Sequence, residues 1–341
     1  MRKATAATLD RPILGVLALS MAIPLGGCAT WQPQPEPADQ QVVEEPQPPP
    51  SVYRDEVVLF GSMRPVIDVN PDSFAPTPQI QHTWIAEGAD FDPNVDPAGE
   101  RIVFASTRHS LLPDLYMKAV SGATVTQLTA DPAADINPTF SPDGKQIAFA
   151  SNRSGNWDIW ILNLEDQRVS QITHSPATDL YPTWAPDGGR LAHCRQNPKS
   201  GEWELWVINL DKESPAKFIG YGMYPRWSPV NDTLIFQRPR RRGEPLFSIW
   251  MMQLIDGEPT YATELIASEA AGMILPSWSP DGNHVAYCTV ELGGGVLSGE
   301  GRPRSQNSEI WVVDREGRGR LRVTDGVGAS YSPAWSPDGR V

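Results

Sequence analysis

Short apolar runs alternate with turn residues along most of the chain, and the pattern recurs. Its clearest copy lies between Asp135 and Trp160. There Pro138 to Phe140 reads as a strand, Pro142-Asp143-Gly144 as a tight turn, Ile147 to Ala150 as a second strand and Asp158 to Leu162 as a third. Proline pre-sets φ, aspartate bonds its own backbone and glycine accepts positive φ, so Pro-Asp-Gly between apolar runs predicts a hairpin. Val125 to Thr129 and Val169 to Thr173 typify a fourth strand. The second strands, such as Ile102-Val103-Phe104-Ala105, Leu191-Ala192-His193-Cys194 and Val285-Ala286-Tyr287-Cys288, are apolar or small on both faces. That suits strands sandwiched between neighbouring sheets. The third strands share an acid or serine, an aliphatic residue and an aromatic: Asp114-Leu115-Tyr116, Asp158-Ile159-Trp160, Glu204-Leu205-Trp206, Ser248-Ile249-Trp250 and Glu309-Ile310-Trp311.

Aligned on the turn proline, the units fall at Pro97, Pro142, Pro186, Pro229, Pro280 and Pro337, with spacings of 45, 44, 43, 51 and 57. Four short strands per unit at such a period indicate a propeller. Five units are complete, and a sixth begins at Tyr331. Upstream, Val57 to Arg64 matches Gln146 to Arg153 without a gap, and Phe60 precedes Asp90 by 30 residues as Phe149 precedes Asp179. The expected fold is all-β: a six-bladed β-propeller of four-stranded antiparallel blades over residues 57–341, closed by a one-plus-three clasp of the N- and C-terminal segments. In that clasp the end of the chain supplies a first strand and residues 57–84 the other three. A chain that stops part-way through a blade is the alternative.

The repeat Asp-x-x-Pro-x-(Trp/Phe)-Ser-Pro-Asp-Gly-x-x-Ile-Ala-Phe-x-Ser-x-Arg, followed by Asp-Ile-Trp, is nearly intact at Asp135 to Trp160. It is partial at Asp179 to Trp206, Pro276 to Tyr287 and Pro333 to Gly339. It resembles the propeller of the periplasmic TolB family. The resemblance implies a propeller fold and a binding role towards an envelope protein. In that family an α/β domain precedes the propeller; here the corresponding space holds a proline-rich stretch, so a direct place in the Tol–Pal system does not carry over.

The start of the chain changes the picture of location. Arg2, Lys3 and Arg11 flank an apolar run from Pro12 to Leu25, too short for a bilayer span and arranged like a secretory signal. Leu25-Gly26-Gly27-Cys28 resembles the bacterial lipobox, so residues 1–27 are expected to be a lipoprotein signal peptide and Cys28 the lipidated residue. An ordinary signal peptide with a chance cysteine is the alternative. Ala29, in place of aspartate, implies the outer membrane, facing the periplasm. Residues 28–56, rich in Pro, Gln and Glu, read as an extended spacer of about 90 Å at roughly 3.1 Å per residue.

Composition narrows the function. The chain carries 28 Lys plus Arg against 41 Asp plus Glu, a formal net charge of −13, which argues against a nucleic-acid partner. No Gly-x-Ser-x-Gly elbow or Walker loop occurs, and the five histidines lack a paired zinc spacing, so neither an enzyme nor a cofactor or metal is expected. Cys194 and Cys288 stand at the same place in strands one whole blade apart, too far for a disulfide, and are expected as buried free thiols. Trp184, Trp227, Trp278 and Trp335, with Phe140, read as core between blades.

Partner-binding candidates lie on the face of the second-to-third loops. Arg238, Arg240, Arg241 and Arg242 sit in one long loop and Arg302 and Arg304 in another, a basic cluster suited to an acidic partner or anionic glycan. Solvated loops are the alternative. Asp90, Asp135 and Asp179 precede Pro93, Pro138 and Pro182 by three residues, while Gly222, Met273 and Ser330 take that place elsewhere. They form an arc on the same face, with local pairing to Arg108 and Arg153 as the alternative. The expected protein is a monomeric, lipid-anchored, extracytoplasmic propeller that binds an envelope protein without catalysis. A propeller enzyme or glycan-binding protein acting on envelope polysaccharide is the rival.

Overall fold

The computed structural model describes residues 82–83, 87–211, 214–240, 246–269, 271–291, 308–324 and 330–339. The chain divides between residues 54 and 55, and every described residue belongs to the second unit. The signal peptide, Cys28, the spacer and most of residues 57–84 lie outside the described residues.

Blade one is β1 (Asp90–Val95), β2 (Arg101–Ser106), β3 (Asp114–Ala119) and β4 (Val125–Gln127). Blade two is β5 (Asp135–Phe140), β6 (Gln146–Ser151), β7 (Asp158–Asn163) and β8 (Val169–Gln171). Blade three is β9 (Thr178–Trp184), β10 (Arg190–Gln196), β11 (Trp203–Asn209) and β12 (Lys217–Tyr221). Blade four is β13 (Met223–Trp227), β14 (Thr233–Pro239), β15 (Phe247–Ile255), β16 (Glu258–Pro259) and β17 (Thr263–Ile266). Blade five is β18 (Ala271–Trp278), β19 (His284–Glu291), β20 (Ser308–Asp314) and β21 (Leu321–Arg322). Each sheet runs antiparallel in chain order, except that β17 pairs with β15 beside the short β16 hairpin. The long spacing of blade four thus comes partly from an extended third strand, not from its second-to-third loop alone.

The expected turns are present and repeat their chemistry. Ser141 Oγ donates to Asp143, Asp143 accepts the Lys145 amide, and Gly144 takes a φ of +69°. Ser279, Asp281 and Gly282 repeat the arrangement in blade five. Second strands are the most deeply buried: Val103, Phe149, Leu191, Ile235 and Tyr287 are all shielded from solvent.

The core lies between blades. Phe140, Ile147 and Phe149 of blade two pack on Val103, Ala105 and Leu115 of blade one. Trp184 and Leu191 of blade three pack on Ala148, Ala150 and Ile159 of blade two, where alanine permits the close approach. Three tryptophans reach back to the preceding inner strand: the indole N–H of Trp184 donates to the Thr139 carbonyl, Trp278 to Arg226 and Trp335 to Ser277, each at 3.2 Å. Cys194 and Cys288 are buried free thiols. Burial pushes the Cys288 thiol up to about 12 and the Cys194 thiol further in the same direction.

The described residues form five blades, four of four strands and one of five, where six four-stranded blades were expected. Residues 330–339 bring the sixth turn and form no strand. Their position is nonetheless defined. A side-chain carbon added to Gly99 would lie 3.3 Å from Pro337, as one on Gly144 would lie 3.6 Å from Pro97 and one on Gly188 3.9 Å from Pro142. The turn of residues 336–339 therefore stands to blade one as blade one stands to blade two.

Candidate functional site

The inner strands share a break in register. β1, β5, β9, β13 and β18 each carry a bulge against the second strand of their blade. At the break the residue before a proline takes positive φ: Asp92 at 52°, Asn137 at 54°, Tyr181 at 57°, Tyr224 at 52° and Leu275 at 53°, and Ser332 follows at 56°. Such a conformation costs an L residue roughly 1–2 kcal/mol. The proline that follows has no N–H to lose from the ladder. The six residues converge on one central cavity of about 20 Å³, room for a water molecule or two. Each blade thus contributes one variable side chain to a common channel.

The lining is polar, aromatic and charged. Asn137 Nδ2 donates to Asp92 Oδ2 at 2.7 Å. Burial raises the Asp92 carboxyl above its ordinary value, against the pull of Arg226 and Asn137. Burial likewise lowers the Arg226 guanidinium, with Asp92 opposing. The Tyr181 hydroxyl donates to that of Tyr224 at 2.7 Å, with ring centres 3.8 Å apart. Burial pushes Tyr224 up to about 12, and Tyr181 moves the same way with Tyr224 adding to the rise.

The arc of aspartates has a different local use. Arg108 donates to both Asp90 oxygens at 2.9 and 2.8 Å, Arg153 to both of Asp135 at 3.0 and 2.8 Å, and Arg195 to both of Asp179 at 2.8 and 2.9 Å. Each arginine also lies over the third-strand aromatic of its own blade, Tyr116, Trp160 and Trp206. Arg238 repeats this over Trp250 at 3.8 Å, and Arg320 over Trp311 at 5.3 Å. Arg238 is therefore one of a repeated set of stacked arginines. Burial lowers it, while Glu264 on β17 supplies the opposing charge that Gly222 cannot. Arg240 pairs with the same Glu264 at 2.9 Å. Arg241, Arg242, Arg302 and Arg304 lie outside the described residues. Among the described residues no group of three or more His, Cys, Asp and Glu side chains is placed to hold a metal.

Blade three carries a substitution within this frame. His193 replaces the aromatic of Phe104, Phe149, Phe236 and Tyr287, is fully buried, and brings Nε2 to 3.5 Å from Asp179. Burial alone would raise Asp179, but His193 and Arg195 hold it below the ordinary value.

The channel residues escaped the sequence reading, which weighed the position three before each proline instead of the one directly before it. Their signal was the contrast between an invariant proline and a preceding residue that changes from Asp to Asn, Tyr, Leu or Ser within one chain.

Blades around a cavity lined by one residue of each inner segment define a β-propeller. The chain belongs to the TolB beta propeller domain family, which matches residues 58–249. Among solved structures it is similar to a TolB protein of Agrobacterium tumefaciens, at 21% identity and a TM-score of 0.59, covering 74% of this chain and 88% of that one. It is also similar to TolB of Acinetobacter baumannii, at 19% identity and a TM-score of 0.57, covering 73% of this chain and 57% of that one. These likenesses establish the fold. No curated protein matches the sequence.

Proposed function

We propose that this protein is a non-catalytic scaffold of the bacterial cell envelope, anchored to the outer membrane by lipid on Cys28, whose propeller binds a segment of another envelope protein. The observation that carries this reading is the channel. Six inner segments present five kinds of side chain at one repeated position, at the cost of strained backbone, on an otherwise uniform frame. Strain that recurs where side chains diversify suits a recognition surface. The Pro-rich spacer, the lipobox-like Leu25 to Cys28 and the family membership support the envelope location.

The ring closes in this reading through residues 57–84. The family match begins at residue 58, and the Lys118 ammonium on β3 donates to the His82 carbonyl at 2.8 Å. His82 follows Phe60 by 22 residues, as Gln171 at the end of β8 follows Phe149. That is where the fourth strand of a sixth blade would lie beside blade one.

Crosslinking and pull-down from detergent-solubilised envelope tests the scaffold. The expected result is one envelope protein recovered with the wild type and lost when Tyr181 and Tyr224 are both changed to alanine in a protein that still melts cooperatively. Recovery unaffected by the channel substitutions would overturn the channel reading. A charge-reversal set at Arg240, Arg241 and Arg242 addresses the loop face separately: unchanged capture would remove those arginines from the contact.

A further inference from the structure

The bulge of each inner strand rests on one residue of the second strand. Asp92 and Pro93 lie opposite Phe104, Asn137 and Pro138 opposite Phe149, Tyr224 and Pro225 opposite Phe236, and Leu275 and Pro276 opposite Tyr287. All four supports are buried aromatic rings. In blade three Tyr181 and Pro182 lie opposite His193. Imidazole is the side chain that ordinarily changes charge between about pH 5 and 8. Among the five described supports only His193 carries one, and it stands behind Tyr181, whose hydroxyl bonds that of Tyr224 in the cavity.

His193 is poorly satisfied where it sits. It is fully buried, and neither ring nitrogen has a hydrogen-bond partner. A neutral ring carries one donor and one acceptor and a charged ring two donors, and leaving such groups unmade in the interior is costly. Nε2 lies 3.5 Å from Asp179 Oδ1, just beyond a well-formed bond. Arg195, on the same strand as His193, donates to both Asp179 oxygens. Glu204 on β11 shares this face and accepts from Trp206 and Asn197. The surface of blade two that packs on the neighbouring Leu191 is apolar: Ala148, Ala150 and Ile159. Cys194 belongs to the opposite cluster, with blade four. A proton on Nε2 therefore has one nearby acceptor, Asp179. With the ring charged, the 3.5 Å approach becomes a charge-assisted bond of about 2.7–2.9 Å. Asp179 precedes Tyr181 by two residues on β9, so the shortening pulls on the strand at its bulge.

We propose that His193 is a pH-responsive support of the Tyr181 bulge: a proton gained or lost there shifts Tyr181, and with it the Tyr181–Tyr224 pair, in the channel. The shift stands on the geometry of blade three alone. Its use as a pH control on partner binding rests on the channel as the binding site.

The test is NMR of the full chain in detergent with ring-labelled tyrosine, the Tyr181 resonance being assigned from Tyr181→Phe. That resonance is expected to move in one step between about pH 5 and 8. His193→Phe, which restores the ring type of blades one, two and four, should melt cooperatively and lose the step. Asp92→Asn should keep it; this control removes the cavity carboxyl, which could also move Tyr181 as pH changes. A wild-type resonance that holds still, a step that survives His193→Phe, or one that vanishes in Asp92→Asn overturns the switch. If His193→Phe does not fold, His193→Gln takes its place under the same criteria. Envelope-protein capture at pH 5.5 and 7.5 separates the two claims: the wild type should differ by at least about fivefold, and His193→Phe not at all. Equal capture at both pH values with the step present would overturn the control of binding and leave the scaffold standing. The step without any captured protein would overturn the channel reading and leave the switch.

Discussion

Asp135 and Asp179 occupy the same repeat position, both fully buried and both gripped by an arginine, yet their carboxyls shift in opposite directions. At Asp135 burial outweighs the bonds from Ser151, Thr129 and Arg153; at Asp179 the added His193 tips the balance. The linkage signs follow. A raised carboxyl contributes stability at low pH that is lost as pH rises from the unfolded value of 3.8 through the folded one. A lowered carboxyl contributes stability above 3.8 that is lost as pH falls through its folded value. Melting curves between pH 2.5 and 6.5 should therefore show Asp135→Asn gaining on the wild type as pH rises, and Asp179→Asn losing ground. Parallel curves would mean that neither shift is real. The pairing of these acids with arginine was legible as an alternative in the sequence. The stacking of the arginines on third-strand aromatics was not, because Arg108 and Tyr116 approach only through the pairing of β2 with β3.

Strands and turns were the most legible level. Pro-Asp-Gly and the apolar runs around it carry local reasons for a hairpin, and those reasons survive in any surroundings. Gly144 and Gly317 separate local from tertiary demands on such a turn. Gly144 has a φ of +69°, and an added side-chain carbon would meet the end of the Arg101 side chain at 3.1 Å. Gly144→Ala should cost roughly 1–2 kcal/mol from backbone strain alone. Gly317 has a φ of +82°, but an added carbon would lie 2.3 Å from the Leu265 carbonyl oxygen, a backbone atom with little room to yield. Gly317→Ala should cost more than Gly144→Ala, measured by urea unfolding of both proteins. Equal costs would show that strain, not the clash, dominates. The bulge at each inner strand was invisible at this level, since positive φ at Tyr181 or Leu275 runs against the preference of the residue itself.

At the scale of the molecule, stability resides in contacts between neighbouring blades. The two thiols report on it: Cys194 belongs to the cluster joining blades three and four, and Cys288 is as deeply buried in blade five. With burial holding both thiols protonated, neither should react with a thiol reagent at pH 8 until the ring opens. Both should then react at one rate under denaturant; early reaction of either would show that its blade opens alone. Deletion of residues 57–84 tests the proposed closure. The shortened chain should melt well below the wild type or aggregate, because unpaired sheet edges and an uncovered blade face would meet water. An unchanged melting curve would eliminate the clasp.

The sequence by itself determined the repeat, the strands of five blades, the turns between them, the interblade tryptophans and the two free thiols. Each rests on neighbours in the chain or on a periodicity that recurs along it. Only the tertiary structure decided that Asp92, Asn137, Tyr181, Tyr224, Leu275 and Ser332 share one cavity with Arg226. Those residues are separated by about a blade each, and their meeting depends on the curvature of the ring and on a backbone conformation that their own side chains disfavour. The frame was local and the channel was not, which is why the repeat could be read from the chain while the site could not.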